Sequence, residues 1–297
     1  MKNFKKLALM GLTAVMSLSL LAACGGGNSG SAETPSGNTE TTPVESTTPA
    51  GGEETSTTGE FTTVEAGKLI MSTNAQFPPY EMVGDGEGYE GTGYEGIDVE
   101  IAYAIAQKLG LELVVDNMGF DAALQAVQTG KSDIVMAGVT VTDDRLEVMD
   151  FSDTYANGIQ VVIVPENSDI ATIDDLEGKL IGCQMGTTGY IYCSDTPENG
   201  GYGEDAVIPY DDGAAAVQAL MNGQVDCVVI DNAPAQEYVK ANPGLKILDT
   251  EFANENYAIG FAKGNTALKD AVNAALIELV EDGTVQSIID KYIPAEG

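Results

Sequence analysis

From about residue 68 onward, short runs rich in β-branched residues alternate with longer stretches in which apolar side chains recur every three or four positions. The first kind reads as strand and the second as amphipathic helix, so their alternation predicts an α/β domain. Strands are expected at "KLIMSTN", "LELVVDN", "SDIVMAG", "IQVVIVP", "LIGCQ", "DCVVID" and "YAIGFA". Helices are expected to start at Asp98, with Ile101, Ile105 and Leu109 on one face and Gly110 after them, and at Asp121, ending at Gly130. A third starts at Thr266, with Leu268, Val272, Leu276 and Leu279 as its stripe and Gly283 beyond. Asp and Thr are good N-caps and glycine a good C-terminal stop.

One internal similarity bears on the organisation. "LQAVQTGKSDIVMAG" at 124–138 matches "VQALMNGQVDCVVID" at 217–231 without a gap, with Gln125/Gln218, Ala126/Ala219, Gly130/Gly223, Asp133/Asp226 and Val135/Val228 identical. Each copy reads as helix, glycine stop and buried strand. Two equivalent units put Gly138 and Asp231 at equivalent strand ends, where open α/β sheets bind their ligands. Two lobes facing each other would make a cleft lined by both.

The N-terminus has a different pattern. Lys2, Lys5 and Lys6 precede an apolar run from Leu7 to Leu21, which is too short to span a membrane and has the flanks of a signal peptide. It closes on "LAAC", which resembles the bacterial lipobox and would leave Cys24 as a lipid-modified N-terminus, so residues 1–23 are expected to be a lipoprotein signal peptide. Residues 24–60 are Gly, Ser, Thr, Pro, Asn and Glu with almost nothing apolar, the composition of a disordered tether. The expected location is the outer face of the bacterial cell membrane, with a lipid anchor.

Composition removes several kinds of chemistry. The chain carries 46 acidic and 13 basic residues, a formal net charge of −33, which disfavours nucleic acid and anionic lipid as electrostatic partners. It contains no histidine, and with it go Ser-His and Cys-His catalysis and the commonest zinc ligand. Besides Cys24 there are Cys183, Cys193 and Cys227, which permit one disulfide but not a framework. No metal or other cofactor is expected.

Among the 13 basic residues one is an arginine, Arg145, within "AGVTVTDDRLEVMDFSD". Thr142 reads as an N-cap, which makes Asp143 and Asp144 first-turn residues and Arg145 the third. A cation there opposes the helix macrodipole, and a capping box would place Glu or Gln at that position. An anionic ligand group resolves the conflict, and a carboxylate fits the guanidinium fork in bidentate fashion. The alternative is a surface ion pair with Asp143, Asp144 or Glu147, which contributes little.

The surrounding segment, "FDAALQAVQTGKSDIVMAGVTVTDDRLEVMDFSDTYANG", resembles the signature region of the family-3 solute-binding proteins, the polar amino-acid receptors of ATP-binding-cassette importers. "STNAQFPPYEM", "YEGIDVEIAYAIAQKLG", "LIGCQMGTTG", "DCVVIDNAPA" and "EDGTVQSIIDKY" follow in that family's order and spacing. The resemblance implies a two-lobe periplasmic-binding-protein fold of type II, each lobe a mixed sheet flanked by helices, with two hinge crossings near "DTYANG" and "FANENY". Lobe 1 would be 61–155 with a return at 258–297, and lobe 2 would be 157–252. The implied function is to bind a free L-amino acid between the lobes and deliver it, as a monomer, to importer permease subunits, without catalysis.

The same resemblance assigns a zwitterion site. Arg145 would grip the α-carboxylate, joined by the backbone N–H groups of Thr187 and Thr188 in "GTTG". Asp231 would take the α-ammonium, with the Gly138 carbonyl and the Thr140 hydroxyl as further acceptors. Phe77 and Phe120 would stack on the ligand, and Gln184 would touch its side chain, while Tyr80 packs. A ligand-sensing lobe pair for a signalling partner and a dehydratase-like enzyme are the alternatives. No cationic residue stands ready for an acidic ligand, and the acidic field favours cationic ligands only through long-range steering, which salt screens. The Gly-rich insertion at 84–96 is longer than the usual loop and has no explanation at this level.

Overall fold

A computed structural model describes residues 61–293, so the expected signal peptide, Cys24 and the expected tether lie outside the described residues. Seven of the elements coincide with the strands expected from sequence. β1 (Lys68–Thr73) leads through a short hairpin of β2 (Gln76–Phe77), β3 (Glu81–Val83) and β4 (Tyr94–Glu95) into α1 (Ile97–Leu109). β5 (Glu112–Asn117), α2 (Phe120–Gln128), β6 (Ile134–Val135) and α3 (Asp143–Val148) follow. The long β7 (Met149–Pro165) then carries the chain to β8 (Ile181–Gln184), α4 (Thr188–Ser194), β9 (Val207–Tyr210), α5 (Gly213–Met221) and β10 (Cys227–Asp231). α6 (Asn232–Ala241), β11 (Leu245–Ile247), β12 (Ala253–Ala262), α7 (Thr266–Glu281) and α8 (Thr284–Tyr292) complete it.

Nine strands form one curled sheet in the order β5-β1-β6-β12-β7-β10-β8-β9, with β11 on the end of β7. Its two ends are built alike. β5-β1-β6 and β9-β8-β10 are both parallel triplets in which the first strand of the unit lies in the middle. The internal similarity has a structural basis: Gly130 and Gly223 both adopt φ of 69°, a left-handed turn that costs glycine nothing. Asp133 then accepts the N–H of Ile70 at 2.7 Å while Asp226 accepts the N–H of Leu180 at 2.8 Å. In each copy the backbone bond is returned, Asp133 to Ile70 and Asp226 to Leu180. An aspartate at the start of the third strand thus staples it to the first in both units.

The triplets are joined by β7 and β12, an antiparallel ribbon from Ala253↔Gln160 to Ala262↔Met149 with irregularities around Ala258. The two stretches expected as crossings, 153–158 and 252–257, lie in this ribbon. Leu69, Met71, Ile101, Ile105 and Ile134 are fully buried in the core around β1 and α1. A separate cluster holds Val162, Ile181, Cys183, Cys193, Cys227 and Val229, and the three cysteines in it are free thiols.

Two helix starts differ from expectation by one residue: α1 begins at Ile97 after a Gly96 cap and α2 at Phe120 after a Gly119 cap. α7 begins at Thr266 as read, after Asn265, and none of the three has a side-chain cap bond. Gly96 (φ 127°) is set by contact, since a Cβ there would overlap the Tyr80 carbonyl. Asp98, the second residue of the helix, is pulled into the interior instead. Thr142 does cap α3 as read, its hydroxyl accepting the Arg145 N–H at 3.2 Å. The insertion at 84–96 closes the β3–β4 hairpin over a 3-10 turn at Tyr89–Gly91. Tyr89 rests edge-on against Tyr103 at 5.4 Å, with Lys291 of α8 above its ring, so the hairpin is pinned to the last helix.

Candidate functional site

The strands of both triplets end on one cavity. Gly138 lies just beyond β6, Gln184 closes β8 and Asp231 closes β10, so the carboxyl ends of equivalent strands meet. The space between its walls is about 330 Å³, open solvent at its mouth included. All nine residues expected to bind the ligand line it: Phe77, Phe120, Gly138, Thr140, Arg145, Gln184, Thr187, Thr188 and Asp231. Asn74, Glu81 and Ala137, which sequence reasoning missed, complete the wall.

Arg145 is only 8% exposed, which removes the surface ion-pair alternative. Its Nη1 donates to the Thr140 carbonyl at 2.7 Å and its Nη2 to the Gly186 carbonyl at 3.1 Å. The guanidinium lies 5.5 Å from the centre of the Phe120 ring, a cation–π contact. Burial lowers its pKa from the ordinary value, opposed by the field of Glu255. Phe120 therefore supports the arginine as well as lining the cavity. Phe77 stacks on Tyr80 at 5.7 Å, and Tyr80 meets Tyr257 edge-on at 5.2 Å. Gly138 (φ 55°) must be glycine because a Cβ would press to 2.8 Å from Phe77 Cε1.

Opposite the arginine, Asp231 accepts Gln160 Nε2 at 2.8 Å and the Tyr257 hydroxyl. Burial, then the nearby Glu255, pushes its pKa up to about 7. Glu255 in turn accepts the Thr140 hydroxyl at 2.9 Å and Gln160 Nε2 at 3.1 Å. Both Gln160 and Glu255 sit in the ribbon, which couples the crossing strands to the site. Thr187 is the N-cap of α4, its hydroxyl accepting the Tyr190 N–H at 3.3 Å, and Thr188 is buried in the first helical turn. The Thr187 N–H itself turns back to the Gln184 carbonyl at 3.4 Å.

The two sides of the cavity are hydrogen-bonded to each other. Gln184 Nε2 donates to Asn74 Oδ1 at 3.0 Å, the Tyr238 hydroxyl to the Gln76 carbonyl at 2.9 Å, and Arg145 reaches Gly186 as described. On the floor, Asp98 accepts the Gly138 N–H at 3.0 Å and the Tyr155 hydroxyl at 2.8 Å, and burial raises its pKa to about 6. The arrangement offers a fixed cation on one side and a fixed carboxylate on the other, the complement of a small zwitterion. Among the described residues no His, Cys, Asp and Glu group is disposed to hold a metal, and no helix is long and apolar enough to cross a membrane.

Known proteins resemble this chain over most of its length. The chain is 34% identical over 231 residues, 76% of its length and 83% of the relative's, to a probable histidine-binding protein of Neisseria gonorrhoeae. It is 32% identical over 233 residues, 77% of its length and 87% of the relative's, to the arginine-binding extracellular protein ArtP of Bacillus subtilis. Its fold matches the arginine-, lysine-, histidine-binding protein ArtJ of Geobacillus stearothermophilus with a TM-score of 0.69 and 32% identity, over 77% of this chain and 96% of that one. Residues 69–295 fit the profile of the bacterial extracellular solute-binding proteins, family 3. With that span and these two-lobed relatives, the chain belongs to the family-3 extracellular solute-binding proteins.

Proposed function

We propose that this protein is a receptor that closes on one free L-amino acid and hands it, as a monomer, to the permease subunits of an ATP-binding-cassette importer. The observation that carries the reading is the pair Arg145 and Asp231, buried on the wall of one cavity. Arg145 holds the α-carboxylate with its fork, helped by the N–H groups of Thr187 and Thr188 at the start of α4. Asp231 holds the α-ammonium, together with the Gly138 carbonyl and the Thr140 hydroxyl. Burying either ligand charge without such a partner would cost several kcal/mol. Phe77 covers the ligand from one side, and Gln184 meets its side chain. The names of the relatives, for arginine, histidine and cystine, support an amino acid as the ligand.

Lobe 1 is 61–155 with 258–297, lobe 2 is 157–252, and the β7–β12 ribbon between them is the hinge. A ligand touching both lobes shifts the open–closed balance by its differential affinity for the closed form. Raised carboxyl pKa values in a cleft also mark catalytic acids. Here burial accounts for Asp98, and burial with the nearby Glu255 for Asp231, and the reading needs no proton transfer to the ligand. A thermal-shift panel of the twenty amino acids, dipeptides, organic acids and sugars tests it. Ligand at 100 times its Kd adds about 2.7 kcal/mol of stability. Response only to a carboxylic acid lacking an ammonium would send the site to another function. The lipid anchor is tested separately, since Cys24→Ala should release the protein from membranes with ligand affinity unchanged.

A further inference from the structure

Behind the Asp231 side of the cavity lies a second layer of polar groups, supplied by the crossing strands. Gln160 of β7 is paired with Asp231 in the ladder, and Glu255 and Tyr257 are alternate residues of β12, facing the same side. Gln160 and Glu255 are 1% and 4% exposed, and neither lines the cavity. Gln160 Nε2 donates to Asp231 Oδ2 at 2.8 Å and to Glu255 Oε2 at 3.1 Å. The amide is held in this orientation, since the reverse would set its oxygen against two carboxylates. Glu255 Oε2 is thus an acceptor, and the Thr140 hydroxyl, 2.9 Å from the same oxygen, is the donor of that bond. A hydroxyl has one hydrogen, so with it committed to Glu255 only lone pairs of Thr140 face the cavity. The other Glu255 oxygen, Oε1, is buried with no hydrogen-bond partner among the described residues. A buried carboxylate so incompletely satisfied destabilises the fold, and a well-packed apolar residue would cost less. Its presence points to a task in the site.

We propose that Glu255 is a positioning residue: by drawing the Thr140 hydroxyl proton away from the cavity it holds Thr140 as an acceptor, and so sets a preference for an α-ammonium over an α-hydroxyl or α-keto group. The proposal rests on the receptor reading, which places the α-ammonium among Asp231, the Gly138 carbonyl and Thr140. With Thr140 locked, all three groups accept and none donates. An ammonium has three N–H donors, one for each. A hydroxyl in its place has one hydrogen and leaves two buried acceptors unmatched, while a keto oxygen has none to give. Asp231 alone discriminates less, because its carboxylate also accepts the single hydrogen of a hydroxyl. Gln160 and the Tyr257 hydroxyl hold Asp231 itself in place from the same layer. The crossing strands thereby take part in recognition through a residue that does not touch the ligand.

Titration calorimetry of the full chain separates this role from charge and from packing. The probes are the twenty L-amino acids and, for the one that binds most tightly, its 2-hydroxy acid, measured by displacement where binding is weak. Glu255→Gln removes the charge but keeps an oxygen that can accept from Thr140 and Gln160, whereas Glu255→Leu removes both. Glu255→Leu should bind the amino acid about 10-fold or more weakly than Glu255→Gln. The two should agree within about threefold for the hydroxy acid, whose oxygen can accept the freed Thr140 proton. Adding Thr140→Val to each should close the gap. No gap, a gap of equal size for both ligands, or one that survives Thr140→Val would each overturn the proposal. If urea unfolding shows that Glu255→Leu does not fold, Thr140→Val alone decides. It should weaken the amino acid about 10-fold or more and the hydroxy acid less than about threefold, and equal losses would overturn the proposal. Silence from every amino acid would instead remove the receptor reading, and this one with it.

Discussion

Arg145→Lys isolates the fork. In the structure the guanidinium donates Nη1 to the Thr140 carbonyl and Nη2 to the Gly186 carbonyl, and lies 5.5 Å from the centre of the Phe120 ring. Lysine keeps the charge but replaces two parallel donors with one compact ammonium. Losing one charge-assisted hydrogen bond costs about 1.5–3 kcal/mol, and losing the planar contact with Phe120 about 0.5–1 kcal/mol more. The sum, roughly 2–4 kcal/mol, is a weakening of roughly 30- to 1000-fold in Kd. Calorimetry with the ligand found in the thermal-shift panel reads this directly, and urea unfolding of the free protein separates it from loss of fold. Lys240→Ala, at an exposed pair with Glu237, is the control and should change affinity by less than about twofold. Near-normal affinity in Arg145→Lys would refute the carboxylate assignment and leave the arginine as a strut between Thr140 and Gly186.

Three further outcomes are expected. Asp231 and Asp98 have folded pKa values of about 7 and about 6, above the unfolded value near 3.9, so the native state holds more protons between these limits. Stability of the ligand-free protein should therefore fall as pH rises from about 4 to 7, and Asp231→Asn should flatten the slope of a melting-temperature profile; a profile that rises over this window would contradict the burial argument. Gly186→Ala places a Cβ against Asp121 Oδ1 at a φ of 77°, and should move the carbonyl that Arg145 holds, weakening ligand more than it lowers the melting temperature. Asp133→Ala removes the acceptor of the Val64 and Ile70 N–H groups and should cost about 2–4 kcal/mol in urea unfolding without touching the cleft, whereas unaltered stability would mean the staple is idle.

The parts of the site legible in the sequence were those that broke a local rule. Arg145 stood out because a cation at the third position of a helix is unfavourable, and Asp231 because the repeated unit placed it opposite Gly138. Glu81 broke no rule. It sits in a three-residue strand whose neighbours gave no periodicity, and only the tight turn at Gly96 folds α1 over it. Asp98 read as a cap for the same reason: an aspartate before an apolar stripe suits a helix start, and nothing local shows that Gly96 caps the helix two residues earlier. Gln160 and Glu255 escaped because burial in the ribbon is decided by the strand across, 95 positions away in sequence. The strands were legible where they were long and apolar, while β2, β3, β4 and β11 are too short to carry a pattern.

The ribbon has a consequence for how the chain acquires its shape. Val135 of β6 is paired with Gly260 of β12, and β7 is paired with β12 almost throughout the crossing. The first triplet is complete in sequence by residue 135, yet its inner edge stays unsealed until the residues from Ala253 onward arrive. Closing so long a loop is slow, and an open strand edge is a template for wrong partners. A nascent chain cut before Ala253 should thus be aggregation-prone despite containing a full parallel triplet. For a protein of an extracellular family, that late sealing delays final folding until the whole chain is on the same side of the membrane.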